Sequence, residues 1–308
     1  MGKVAFLFPG QGSQSVGMGK ELDSNIFKRA DEVLGYSLST VMFNGPEEEL
    51  RKTEHTQPAL VTMSVAILQL VREVGITCDY VAGHSLGEYS ALVAAGAMTF
   101  EDAVYAVRQR GLFMEEAVPN GKGAMAAVLG VDRALLEEIC SEASKEGVVE
   151  LANLNCPGQI VISGSATGVK EASRLAKEKG ARRVIPLLVS GPFHSTLMKP
   201  ASKKLASVLE KVEIKHANIP VIANVTASEV TNSDTIRDNL IQQVYSPVLW
   251  EDTIHTLLNN GVDTFVEIGS GNVLTGLVRK INRKVKAISV QSVSDVSNLK
   301  TQLEEVSH

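Results

Sequence analysis

An α/β fold, a parallel sheet with a smaller mixed unit spliced into it, is predicted for this 308-residue chain by three observations. Apolar, β-prone runs alternate with helical patterning on both sides of the segment 123–190. Glycine-containing turns follow several of those runs, as between a strand and a helix. Inside residues 123–190 the order of elements changes. With 44% hydrophobic and 21% charged residues the chain can bury one large core plus an insertion.

The elements follow in order. Residues 3–8 are mostly apolar and read as a buried strand, and FPGQGSQ after them as a glycine-rich turn. Residues 57–73 carry helical patterning, 80–83 a short strand, and 86–95 a helix that Gly96 stops. An amphipathic helix then spans 100–118, closed by Pro119 and Gly121. The next stretch reads strand 124–129, helix 133–145, strands 148–152 and 159–163, helix 169–179 and strand 183–189. That βαββαβ order is the order of a ferredoxin-like unit, whose ends lie close enough to be inserted in another domain. Residues 1–122 and 191–308 are therefore expected to form the large domain, and 123–190 the small one. Helices at 197–211 and 250–258, a strand at 264–268, the turn GSGN, a helix to Lys280 and a strand at 285–290 complete the alternation.

Composition excludes several roles. The net charge of −5 offers no general surface for nucleic acid or an anionic membrane, so an acidic partner must meet a local basic patch. Cys78, Cys140 and Cys156 are odd in number and widely spaced, which fits reduced thiols in a cytoplasm rather than disulfides or a zinc site. The apolar run 4–8 stops at Pro9, too short for a signal peptide or a membrane span.

Chemistry concentrates at GHSLGEYSAL, residues 83–92, whose first five residues fit G-x-S-x-G. Ser85 falls on the turn between a strand and a helix, where flanking glycines admit a sharp bend and the helix N-terminus supplies N–H groups and partial positive charge. It reads either as a nucleophile held on that bend or as a small residue the backbone needed. A serine nucleophile requires a base and oxyanion donors. The amides of Leu86 and, from the turn after the first strand, Gln11 are candidates for the donors. That turn lacks the GK[ST] ending of a phosphate loop. Among six histidines, His84 adjoins Ser85 and should diverge from it; His55, His216, His255 and His308 read as solvated. His194 follows an apolar strand and the turn SGPFHS, at the sheet edge where α/β active sites lie, and reads as the base or as a capping or buried histidine. Glu267 is the candidate for an acidic third member, or equally a charge at a strand end.

FPGQGSQ, TQPAL at Thr56, GHSLGEYSAL, QRG with Met114 four residues after Arg110, AVPNGKGAMAAVLG, NLNCPGQIVISG, FHSTLMKPA and EIGSGNVLTGL occur in one order over nearly the whole length. In that ordered series the chain resembles the malonyl-CoA:acyl carrier protein transacylases, the acyltransferases of fatty-acid synthesis and of polyketide synthases. The resemblance implies a hydrolase-like large domain with a ferredoxin-like small one, and transfer of malonyl from malonyl-CoA to the phosphopantetheine thiol of acyl carrier protein through a malonyl-serine ester. It implies Ser85 as nucleophile, His194 as general acid and base, Gln11 and Leu86 as oxyanion amides, and Gln243 as the residue whose backbone carbonyl orients the histidine. Arg110 corresponds to the arginine that pairs with the malonyl carboxylate, where composition alone leaves Arg108 equivalent and a solvated helix face as the alternative. Met114, Asn155 and Gln57 correspond to positions near the substrate. No metal or tightly bound cofactor is implied; the partners are a CoA thioester and acyl carrier protein, and the chain is expected to be a monomer. A discrete acyltransferase of a polyketide synthase would share the chemistry. Glu115 departs from the Gln of many relatives, Phe193 resembles the malonyl-type enzymes, and the basic run RKINRKVK at 279–286 is a candidate carrier-docking patch.

Overall fold

The structure of the chain is a computed structural model that describes residues 2–119 and 121–304. Its strands are β1 (Lys3–Phe8), β2 (Tyr80–Gly83), β3 (Gly123–Leu129), β4 (Val149–Cys156), β5 (Gln159–Ser165), β6 (Arg183–Pro186), β7 (Val221–Ile222), β8 (Glu229–Val230), β9 (Val262–Ile268) and β10 (Lys286–Val290). One sheet has the order β10-β9-β1-β2-β7-β8, parallel except for the β7–β8 pair. The other has the order β4-β5-β3-β6 and is antiparallel throughout. Helices Arg133–Ala143 and Ala166–Glu178 pack on each other and on this second sheet, in the predicted βαββαβ sequence.

Side chains along β1 show how the large sheet is covered. Successive residues face opposite sides: Phe6 and Phe8 enter one core with Leu60, Ile67 and Leu92, and Ala5 and Leu7 enter the other with Trp250, Phe265 and Leu277. A strand buried on both faces reads as a continuous apolar run, as this one does.

Several elements have other bounds than the sequence pattern indicates, and others escape it. The long helix is Thr53–Glu73; Pro58 lies inside it, and burial of that side of the helix outweighs the lost backbone bond that masks the first turn. β4 continues to Cys156 through two irregularities in its pairing with β5, which break the alternation that marks a strand. β6 ends at Pro186, which has no N–H for a further ladder bond. The helices Ile26–Leu34, Leu38–Asn44, Glu47–Arg51, Ser233–Gln243 and Val293–Glu304 are not among the predicted elements.

The turn after β2 is tight enough to dictate its glycines. A Cβ on Gly83 would stand 1.9 Å from the Gly87 carbonyl carbon, and one on Gly87 would stand 2.2 Å from the Phe8 oxygen. Ser85 itself has φ 52°, the left-handed region that costs a non-glycine residue free energy and occurs where surroundings enforce it. β2 and the helix Gly87–Ala94 thus hold Ser85 beyond the C-terminal edge of the sheet.

Candidate active site

Ser85 Oγ lies 2.8 Å from His194 Nε2. His194 also has positive φ, 57°, and its Nδ1 is 2.9 Å from the Gln243 carbonyl oxygen and 3.2 Å from that of Ser246. Both are acceptors, so Nδ1 carries the proton and Nε2 presents its lone pair to the serine hydroxyl. His194 is buried, and burial together with the positive charge of Arg110 pushes its pKa down to about 3. The ring is neutral and able to take a proton near pH 7.

Arg110 projects from the helix Phe100–Glu116 into the same space and is 1% exposed. Its Nη1 donates to Gln57 Oε1 at 2.9 Å, and its Nη2 donates to Gln243 Oε1 at 3.0 Å and to Ser85 Oγ at 3.1 Å, while Nε has no partner. Among the described residues no carboxylate forms an ion pair with it. Arg108 differs: it donates to the Glu54 backbone, pairs with the Glu54 carboxylate at 3.5 Å and stacks over Tyr36.

A cavity of about 430 Å³ joins these groups, with Gln11, Gly12, His84, Ser85, Arg110, Met114, Phe193 and His194 in its wall and Arg51 and Glu47 toward solvent. Among the described residues the backbone N–H groups of Gln11 and Leu86 donate to no protein acceptor, as oxyanion donors must be before substrate arrives. Gln57 lies behind the wall, holding Arg110 and, through Nε2, Met114 Sδ at 3.7 Å. Asn155 does not line the cavity; its Oδ1 accepts from His84 Nε2 at 2.8 Å, and Asn153 lines it instead. His84 packs against Trp250, ring centres 5.3 Å apart.

Two participants were not foreseen. Asn224 accepts from the Ser85 backbone N–H at 2.7 Å and donates to the Gly83 carbonyl at 2.7 Å, holding the turn from both sides. Nothing near VIANVT marks it, because β7 is only two residues long. Glu88 is buried on the helix after Ser85, accepting from Gln243 Nε2 and the Asn224 N–H; burial pushes its carboxyl up to about 7 against those bonds. A lone carboxylate in an otherwise apolar GEYSALVA helix was the available signal. Glu267 has no part in the site: its two oxygens accept from the N–H groups of Leu274 and Thr275 and cap the helix Val273–Ile281. His55 is not solvated, since its Nδ1 donates to the Glu49 carbonyl at 2.8 Å; His216 and His255 are exposed, and His308 lies outside the described residues.

Residues 5–303 match the acyl transferase domain family. The chain belongs to that family. Among the relatives of this acyl transferase, the malonyl CoA-acyl carrier protein transacylase of Bacillus subtilis is 58% identical over 297 residues, 94% of each chain. The acyl-carrier-protein S-malonyltransferase of Bartonella henselae superposes with a TM-score of 0.95 at 42% identity, covering 98% of this acyl transferase and 99% of that chain. A malonyl-transacylase solved in complex with its type II PKS acyl-carrier protein superposes with a TM-score of 0.95 at 42% identity, over 97% and 99% of the two chains.

The basic run 279–286 of this acyl transferase does not border the cavity. The helix Val273–Ile281 starts beyond the C-terminal end of β9 and returns to the opposite sheet edge, where Lys286 pairs level with Thr264 and, across β9, Val4. Arg279 Nη2 donates to the Ala287 carbonyl and Lys280 Nζ to Gln159 Oε1. Among the described residues no helix is long and apolar enough to cross a membrane, and no group of three or more His, Cys, Asp and Glu could hold a metal.

Proposed function

We propose that this chain transfers malonyl from malonyl-CoA to the phosphopantetheine thiol of acyl carrier protein for fatty-acid synthesis, with Ser85 as the residue that carries the acyl group. The observation behind this is the convergence of a serine–histidine pair and a buried, carboxylate-free arginine on one cavity. A serine hydrolase has no need of the third group.

His194 Nε2 takes the Ser85 hydroxyl proton as Oγ attacks the thioester carbon; the oxyanion rests on the Leu86 and Gln11 amides. The C–S bond breaks, the CoA sulfur receives the proton from His194, and a malonyl ester remains on Oγ. In the second half the carrier thiol gives its proton to His194, sulfur attacks the ester carbon, and Ser85 leaves with that proton. Arg110 holds the malonyl carboxylate throughout, with Met114 in the wall, Gln57 behind it bonding Arg110 and Met114, and Asn155 fixing His84. Only an acyl group and a proton move, with malonyl-CoA as substrate. Residues 123–190 form the small domain that closes the cavity over the large one, 1–122 with 191–308. We place a monomer of this kind in the cytoplasm, which the free Cys78, Cys140 and Cys156 suit.

The test is transfer of labelled malonyl to purified acyl carrier protein, measured against free malonate released. Malonate release without transfer would overturn the reading. A carrier of the polyketide type is the second reading, favoured by the complex with a type II PKS carrier protein; kcat/KM measured for both carriers separates the two.

The low pKa of His194 sets the acid limb. An ordinary histidine with pKa about 6.5 would be only about 3% neutral at pH 5 and acylation would fall accordingly. Here the ring stays neutral down to about pH 3, so the burst of Ser85 acylation at pH 5 should stay within about threefold of that at pH 7. A rapid-quench series showing a fall centred near pH 6.5 would contradict this.

A further inference from the structure

Gln243 stands where three parts of the site meet. Its backbone carbonyl accepts from His194, its Oε1 accepts from Arg110 Nη2, and its Nε2 donates to the Ser85 carbonyl at 3.0 Å and to Glu88 Oε2 at 2.7 Å. A side-chain amide can sit either way round, and its neighbours decide which end is which. A guanidinium offers only donors, and Glu88 Oε2, which already accepts a backbone N–H, offers only an acceptor. Placed between one of each, the Gln243 amide is held with oxygen toward Arg110 and nitrogen toward Glu88. The same Glu88 oxygen accepts the Asn224 backbone N–H at 3.1 Å, which anchors it against rotation. Glu88, Asn224, Gln243 and Arg110 are all buried, so no water competes for these bonds. No contact joins Glu88 to the Ser85 hydroxyl or to His194 among the described residues, and Gln243 lies between it and Arg110.

We propose that Glu88 is a positioning residue for acyl selection: by accepting from Gln243 Nε2 it fixes the amide whose other end aims Arg110 at the free carboxylate of the acyl group. This rests on the reading of Arg110 as partner of that carboxylate. With the acceptor gone, the amide keeps only the Ser85 carbonyl and, at 3.5 Å, Asn224 Oδ1 on its nitrogen side, swings from its place, and Arg110 loses the bond to Oε1 that sets its angle. Arg110 itself keeps its charge. The loss therefore falls on acyl groups that carry a carboxylate.

Geometry, rather than negative charge, is what Glu88 supplies, and two substitutions separate these. E88Q keeps an acceptor oxygen at the same reach; E88D keeps the charge but withdraws the carboxylate by about 1.5 Å, one bond length. The experiment measures kcat/KM for malonyl-CoA and acetyl-CoA with carrier protein, alongside the thermal midpoint of each variant. E88D should lower the malonyl-to-acetyl ratio about tenfold or more, with E88Q within about threefold of wild type. Q243L should reproduce the E88D loss, and E88D added to Q243L should lower the ratio no further, because the two act through one link. If E88D alone folds poorly, Q243L set against E88Q decides the matter. Equal losses for both acyl groups, a ratio in E88Q as low as in E88D, or an unchanged ratio in Q243L would overturn the proposal. If R110A keeps the wild-type ratio, the reading of Arg110 fails and this proposal with it; if R110A loses the ratio while E88D and Q243L keep it, only the role of Glu88 fails.

Discussion

Replacing Ser85 by alanine is expected to reduce malonyl transfer by about 10⁴-fold or more and to leave no acyl group on the protein. The hydroxyl is within hydrogen-bond reach of both His194 Nε2 and Arg110 Nη2, at 2.8 and 3.1 Å. Without it no ester can form, so neither half of the transfer proceeds by this route. The fold should survive, because the turn is held through the backbone: Asn224 accepts from the Ser85 N–H and Gln243 donates to its carbonyl. Alanine tolerates the φ of 52° no worse than serine does. Intact-protein mass after incubation with malonyl-CoA checks it. The wild type should gain one malonyl group and S85A none; a variant labelled to the wild-type extent would show that Ser85 does not carry the acyl group.

How much of this was legible in the sequence follows from range. The α/β class and the βαββαβ unit were readable because each strand and helix buries a face, and burial writes a period into the residues. The bend at Ser85 was readable because glycine has no substitute where a Cβ would meet the Phe8 oxygen. The partners of that serine come from far along the chain: His194 lies 109 residues away and Gln243 donates to its carbonyl from 158 residues away. No local pattern encodes such meetings, so Gln243 and Arg110 rested on resemblance, and Arg108 and Arg110 looked alike until one proved to face Glu54 and Tyr36. Glu267 misled because a carboxylate at the end of a strand can cap the next helix as well as serve a histidine. The short helices 26–51 were hidden for another reason: each has few turns, too few for a periodic signal to rise above chance.

Replacing Arg110 by alanine should lower kcat/KM for malonyl-CoA by about 10²–10⁴-fold and for acetyl-CoA by about tenfold at most. A guanidinium 1% exposed with, among the described residues, no carboxylate paired to it is costly to bury, and the protein offsets that only in part, through the amides of Gln57 and Gln243 and the Ser85 hydroxyl. A malonyl carboxylate entering the cavity supplies the missing anion and two parallel acceptors for the fork. An acetyl group supplies neither, so wild-type protein should favour malonyl over it strongly and R110A much less. R110K keeps the charge without the fork and is expected to recover only part of the malonyl rate. A second effect follows, since Arg110 helps hold the His194 pKa down: in R110A that pKa should rise, and the acid limb of residual acetyl transfer should move to higher pH. Losses of equal size for the two acyl groups would remove Arg110 from substrate selection. An unmoved acid limb would remove its charge from the tuning of His194, leaving burial as the cause of that histidine's neutrality.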